Sequence, residues 1–333
     1  KQRFLNSTER DFCPSYSKAE YNEIYFTTSR EECTGEETHG GTGEHFSDIF
    51  YSQKDVSGRW SDPEPIPGEV NTAVEEGAPA FTGNYNTMYF TRCEVDKQKK
   101  MGCSIFRVVK ENGEWENPEP LTLTADSLVA AHPAITDDGS TLYFVSNLPG
   151  GYGKMDIWKV TKSGEGWSQP INLGDQINTP GNEMFPFIHS DGTLYFASDG
   201  HIGMGGLDLF EAKTKEDGDG FEEPVNMRPP INSSGDDFKI IFYGKQDKGY
   251  FSSNRAGGKG KDDIYFFRMP PLELKVRGVV RDTTKPDYAY RLKGAKIQLM
   301  TDEGVEKAFE TSEDGVYLFQ DIKEETDYIL KAS

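Results

Sequence analysis

The sequence predicts an all-β chain, a five-bladed β-propeller followed by a smaller β domain. Three observations carry this. A Tyr-Phe pair inside an alternating strand pattern recurs at Tyr25-Phe26, Tyr89-Phe90, Tyr143-Phe144, Tyr195-Phe196 and Tyr250-Phe251, at intervals of about 55 residues. Each pair is flanked by further short strand signals and Gly/Pro punctuation, and no helical periodicity fills the gaps. After Met269-Pro270-Pro271 the repeat stops and a different strand pattern begins.

The inner strand of each copy lies about ten residues before its Tyr-Phe pair and carries Pro14, Pro79, Pro133 or Pro186, with Lys239 in that place in the fifth copy. A third strand follows as Ile49-Phe50, Ile105-Phe106, Ile157-Trp158, Leu209-Phe210 and Ile264-Tyr265. A fourth pairs an aromatic residue with a proline and an apolar residue: Trp60 with Pro65-Ile66, Trp115 with Pro120-Leu121, Trp167 with Pro170-Ile171, and Phe221 with Pro224-Val225. Four short strands at this period describe a propeller blade, too long for a leucine-rich or ankyrin repeat.

The fifth copy lacks its fourth segment, and the N-terminus holds the complement. Phe4-Leu5-Asn6-Ser7 leads to Asp11-Phe12-Cys13-Pro14, mirroring Pro230-Ile231-Asn232-Ser233 leading to Asp236-Asp237-Phe238-Lys239. Residues Lys1 to Ser7 are therefore expected to form the outer strand of the last blade, closing a ring of five over residues 1–269 and removing an exposed edge. Six blades is the alternative, if sequence upstream of Lys1 contributes one. In residues 270–333, Leu272 to Arg281, Lys296 to Met300, Val316 to Phe319 and Tyr328 to Leu330 read as strands of a small all-β domain, and the chain stops within it or at its edge.

The 333 residues carry a formal charge of −20, which disfavours nucleic acid and anionic lipid as partners. No apolar run is long enough to span a membrane as a helix. The chain begins at Lys1 rather than Met, which leaves room for a removed export signal. The four cysteines lack paired Cys-x-x-Cys spacing, so they are read as two disulfides in an oxidising compartment. Cys93 and Cys103 flank a Lys-rich loop and would staple the hairpin of the second copy, and Cys13 and Cys33 pair by elimination.

The central cassette runs from Ser146 to Trp158: a glycine-rich turn, an aspartate, then a strand. Its aspartate recurs as Asp48, Asp156, Asp208 and Asp263, with Ser104 in the second copy. A short carboxylate or hydroxyl there accepts hydrogen bonds from the turn's backbone N–H groups. Calcium is the sharper reading, but one carboxylate per loop is too few. A second set of acids, Asp11, Glu76, Glu183 and Asp236, lies three residues before the proline position, with Ala130 in the third copy. These either bond the neighbouring blade's backbone or form an acidic rim that receives a basic peptide or cation. The glycine loops lead into strands rather than helices, so they are not phosphate cradles. His39 and His45 sit close together in a Gly/Thr loop and are read as solvated rather than as metal ligands. No Gly-x-Ser-x-Gly elbow occurs. No catalytic residue, cofactor or metal site is assigned.

The segment Ser190 to Ser198 followed by Gly203 to Phe210 resembles the TolB-type, WD-like propeller repeats of exported bacterial proteins. Val276 to Asp282, Gly294-Ala295 and Asp314 to Phe319 resemble the carboxypeptidase regulatory-like domain, a transthyretin-like or Ig-like β-sandwich. This domain order resembles the PorE-like periplasmic lipoproteins of the type IX secretion system. The resemblance implies a non-enzymatic scaffold in the periplasm, associated with the outer membrane. Its partners would be other envelope and secretion-machinery proteins, and it would reach peptidoglycan only through an OmpA-like domain absent from this chain. A glycan- or peptide-binding propeller of an exported protein without a secretion role is the alternative. An enzyme such as a glycan hydrolase would need a clustered pair of positioned acids in the channel.

Overall fold

The computed structural model describes residues 4–35, 43–95, 101–124, 128–164, 166–269, 274–284, 290–323 and 326–333, and contains no helix among them. Its contacts divide the chain into two compact units, Lys1–Met269 and Pro270–Ser333.

Among the described residues the first unit holds five antiparallel sheets, each one repeat of the sequence. The first blade comprises β1 (Asp11–Tyr16), β2 (Glu23–Thr28), β3 (Asp48–Gln53) and β4 (Glu64–Pro65). The second comprises β5 (Glu75–Phe81), β6 (Thr87–Val95), β7 (Met101–Glu111) and β8 (Glu114–Pro120). The third comprises β9 (Ala130–Ile135), β10 (Thr141–Ser146) and β11 (Asp156–Ser163), with two short outer pairings, β12 (Gly166–Trp167) and β13 (Ile171–Asn172). The fourth comprises β14 (Glu183–Ile188), β15 (Leu194–Ser198), β16 (Asp208–Ala212) and β17 (Val225–Asn226). The fifth comprises β18 (Asp237–Tyr243), β19 (Gln246–Ser253) and β20 (Asp263–Arg268). The inner strands β1, β5, β9, β14 and β18 contact one another in that order, and β18 returns to β1. The ring is therefore closed at five blades, and the six-bladed alternative falls away.

The recurring Tyr-Phe pair has a packing reason. In four of the five copies its tyrosine packs on an aromatic of the next blade's outer segment: Trp115 Nε1 donates to Tyr25 Oη at 3.1 Å, Tyr89 lies 6.3 Å from Trp167, and Tyr143 lies 6.1 Å from Phe221. Trp60 Nε1 donating to Tyr250 Oη at 3.0 Å repeats this across the join between the fifth blade and the first. These rings are buried, Trp167 partly so. The two Trp–Tyr hydrogen bonds thus combine apolar burial with a satisfied polar tip.

Lys1 to Ser7 were expected to form the outer strand of the fifth blade. Among the described residues that sheet has three strands, and Phe4 to Ser7 form no ladder; Lys1 to Arg3 lie outside the described residues. Backbone bonds cross the join at Asp11 N to Asp262 O (2.9 Å) and Lys261 N to Glu9 O (3.1 Å), and one side chain adds a clasp. Asn6 Nδ2 donates to Ile264 O at 3.1 Å, and Ile264 N donates to Asn6 Oδ1 at 2.9 Å. Asn71 on Ile49, Asn178 on Ile157 and Asn232 on Leu209 make the same two-way clasp in other blades. An amide suits this place because it offers a donor and an acceptor to one residue's backbone.

Cys93 and Cys103 form a disulfide across the β6–β7 hairpin. The pair expected from Cys13 and Cys33 is not formed: both are free and buried. They belong to different cores, Cys13 against Phe238 on the channel side and Cys33 with Leu5 and Phe26 between sheets.

The second unit contains β21 (Leu274–Val279), β22 (Lys296–Thr301), β23 (Gly304–Glu310), β24 (Val316–Ile322) and β25 (Ile329–Ala332). Strand β21 pairs with β24, and β22 lies between β23 and β25. Ile297, Leu299 and Phe319 form its small core.

Candidate functional site

The inner strands end at two cavities separated by a waist. Each strand carries a register shift, and the residue there has a left-handed backbone: Cys13 (φ 50), Ala78 (φ 51), His132 (φ 50), Phe185 (φ 52) and Lys239 (φ 43). Non-glycine residues adopt this conformation only when the surroundings hold them there. Hydroxyls of the preceding blade do so in three places. Cys13 N donates to Ser252 Oγ at 3.0 Å, Ala78 N to Thr27 Oγ1 at 2.9 Å, and His132 N to Thr91 Oγ1 at 2.9 Å. Pro14, Pro79, Pro133 and Pro186 follow the bulge, where a missing N–H costs no ladder bond.

These bulge residues form the waist. The His132 ring stacks on Phe185 with centroids 3.8 Å apart, Phe185 lies 4.7 Å from Phe238, and Phe238 lies 6.1 Å from Phe12. Lys239 is 2% exposed. Its Nζ donates to Pro186 O at 3.3 Å. Burial pulls the Lys239 ammonium down to about 8 and pushes the Cys13 thiol up to about 12. Burial and the Lys239 charge together hold His132 down at about 3. At neutral pH Cys13 and His132 are thus uncharged beside the lysine.

On one side of the waist, the C-terminal ends of all five inner strands enclose a cavity of about 300 Å³. Its lining is aromatic and hydroxylic, with Tyr16, Tyr21, Tyr85, Phe187 and Phe242 among it, and Lys239 also lines it. Tyr16 meets Tyr21 edge-on at 5.1 Å, and Phe187 stacks against Phe242 at 6.2 Å. His189 is fixed at the margin, with Nε2 3.1 Å from Gly244 O and Nδ1 2.9 Å from Asp191 Oδ1. Tyr21, Tyr85 and Phe187 are only partly buried, so ring surface is free inside the cavity.

On the other side, strand starts and the β2–β3 loop line a cavity of about 280 Å³ that includes Arg10, Glu44, His45, Glu75 and Glu76. Arg10 Nε lies 3.2 Å from Glu44 Oε2, and Lys261 pairs with the same carboxylate. Burial, partly offset by Arg10, raises Asp262 to about 6. His39 lies outside the described residues.

The two recurrent acid sets are placed differently from each other. Asp48, Asp156, Asp208 and Asp263 are buried, and each accepts from turn N–H groups: Thr34 at 2.6 Å for Asp48, Tyr152 and Gly153 for Asp156, Met204 and Gly205 for Asp208, Lys259 and Gly260 for Asp263. These N–H groups pointing at the carboxylate are the contacts that turn fixing requires, and no cluster of three or more metal-ligating side chains occurs among the described residues. Burial pushes Asp48 from 3.8 up to about 6, with the Thr34 N–H offsetting part of the shift. A raised carboxyl stabilises the fold fully below pH about 4, and that contribution is lost as pH rises through about 6. Wild type should therefore lose melting temperature relative to Asp48→Asn between pH 4 and 7. A difference constant across that range would contradict this.

The second acid set needs a correction of register. In the ladder Asp11 faces Thr28, Glu76 faces Arg92, Glu183 faces Ser198 and Asp237 faces Ser253, so Asp237 is the fourth member and Asp236 is not. The proline place in the fifth blade belongs to Ile240, and Lys239 matches Cys13, His132 and Phe185 instead. All four aligned acids are buried and hydrogen-bonded within the loop before their own strand: Asp11 to Ser7, Glu76 to Thr72, Glu183 to Thr179 and Asp237 to Ser233. Arg30, Arg92 and Arg255 pair with three of them. Asp236 is held by Asn254 and by the Leu207 N–H. These acids build the loops between blades; they do not present an open rim to a partner. The waist residues and the cavity aromatics were missed, although the residue before each proline was a readable signal.

No family model and no curated protein matches the chain. Solved structures match it in fold. The endo-arabinase from Bacteroides thetaiotaomicron VPI-5482 has a TM-score of 0.52 at 13% identity, over 81% of this chain and 96% of its own. A protein solved as an RGII complex has a TM-score of 0.52 at 10% identity, over 79% of this chain and 88% of its own. A thermostable family-43 glycoside hydrolase follows at 0.49 and 15% identity, over 78% and 90%.

These findings correct the reading by resemblance. No family model and no curated protein stands behind the likeness to PorE-like lipoproteins, and the solved structures of like fold include an endo-arabinase. The scaffold role, the lipoprotein and OmpA-family attributes and the regulatory-like identity of the second unit are withdrawn with it. The physical reason is that the TolB-type cassette is blade grammar: its glycines, aspartate and Tyr-Phe pair are accounted for by turns and inter-blade packing. The expectation of a non-enzymatic chain is withdrawn as well, since the same architecture carries an endo-arabinase.

Proposed function

We propose that the propeller binds glycans, with the aromatic channel cavity as the site. The observation that carries this is the cavity of about 300 Å³ in which partly exposed Tyr21, Tyr85 and Phe187 converge from different blades. Aromatic faces stack on the C–H faces of sugar rings, and tyrosine hydroxyls and backbone carbonyls take sugar hydroxyls. The fold shared with an endo-arabinase makes glycans the ligand class to test first. The Cys93–Cys103 disulfide supports an exported protein working in an oxidising compartment such as a periplasm.

A glycan array probed with the full chain should give binding at micromolar Kd, and Tyr85→Ala should weaken it about 10-fold or more while the melting curve stays close to wild type. A blank array, with binding to a peptide array, would overturn the reading. Glycan cleavage is a second reading, supported by Glu44 and Glu75 at the opposite mouth, because glycosidic hydrolysis uses carboxylate pairs. Release of reducing ends from bound glycans, lost in Glu75→Gln, would establish it.

A further inference from the structure

We propose that the aromatic cavity takes an acidic sugar unit, a uronic acid at a chain end, whose carboxylate is received by Lys239. The inference rests on the glycan reading and names its ligand class.

Among the described residues, Lys239 is a buried cation without a counter-ion. Its side chain lies at the waist, it lines the cavity, and it is 2% exposed. Nζ has three hydrogens to place and, among the described residues, meets one protein acceptor, Pro186 O at 3.3 Å. The charged or titratable neighbours that act on it are Cys13 and His132, and neither is an anion at neutral pH. A buried ammonium in this position is costly unless a negative group joins it. In the other blades the same bulge holds Cys13, Ala78, His132 and Phe185, so the ring geometry does not require a lysine there.

The remaining walls agree with an acidic sugar. Tyr21, Tyr85 and Phe187 offer ring faces, and Ser15 and Ser190 offer hydroxyls. Asp137 also lines the cavity but is exposed, so its charge sits at the outer margin in water. A chain with net charge −20 repels a long polyanion, whereas one terminal carboxylate meets less of that repulsion. A volume of about 300 Å³ suits a chain end rather than a long segment.

The test is calorimetric titration of the full chain with D-glucuronate against D-glucose, and D-galacturonate against D-galactose. Each pair shares a ring and differs at C6. A charge-assisted bond to a desolvated ammonium should make one acid bind about 10- to 100-fold more tightly than its neutral parent. Lys239→Met should bring the two to equal affinity. The wild-type comparison stands alone if that variant does not fold. Neutral sugars binding as tightly as the acids would overturn this inference and leave the glycan reading in place. Failure of both acids and neutral sugars to bind, together with a blank glycan array, would overturn both.

Discussion

Asp11→Ala should lower the free energy of unfolding by about 3–5 kcal/mol, because it strands a partly buried arginine. The Asp11 carboxylate is fully buried and accepts from the Ser7 N–H, from Ser7 Oγ at 2.7 Å, from Thr28 Oγ1 at 2.8 Å, and from Arg30 Nε and Nη2 at 3.1 and 2.8 Å. Removing it leaves those donors aimed at a void and the Arg30 guanidinium unneutralised. Urea denaturation measures the loss, and a double-mutant cycle with Arg30→Met separates the ion pair from the remaining bonds. An effect below about 1 kcal/mol would mean that the carboxylate is not structural. The experiment also separates this account from the acidic-rim reading, in which Asp11→Ala would alter partner binding and spare stability.

Asn6→Ala should cost about 2–5 kcal/mol, from one buried N–H and one buried C=O left unpaired on Ile264. Asn178→Ala removes the same two bonds from Ile157 inside the ring. The two sites differ in connectivity. Asn6 joins the N-terminal segment to the last blade, so its loss also frees the join, while Asn178 is tethered by chain on both sides. Asn6→Ala should therefore be the more destabilising and should raise proteolysis near Leu5. Equal losses from the two variants would show that the clasp contributes bonding but not closure.

The blades were legible because burial imposes them on the sequence. Each Tyr-Phe pair is a strand whose tyrosine must reach the next blade's aromatic, and each cassette aspartate must satisfy a turn, so both repeat. The site was less legible for the same reason. Lys239 occupies the inner-strand position where the ring does not demand a fixed side chain, since Cys13, Ala78, His132 and Phe185 stand there in the other blades, and Tyr21 and Tyr85 lie in loops outside the repeated strands. The missing proline of the fifth copy also shifted the alignment by one residue. That shift hid Lys239 in the proline column and put Asp236 in place of Asp237. The Cys13–Cys33 pairing failed because elimination by count ignores that one cysteine faces the channel and the other a gap between sheets. Family resemblance misled where shared blade grammar was taken as shared ancestry of function.

The proposed glycan site is the aromatic cavity on the β-strand C-terminal side of the waist. A crystal structure of the protein with an array-selected glycan tests it most directly. A sugar ring is expected to stack on Tyr21, Tyr85 or Phe187, within hydrogen-bonding distance of groups lining that cavity. A glycan seated instead among Glu44, Glu75 and Glu76, or on the second unit, would contradict it.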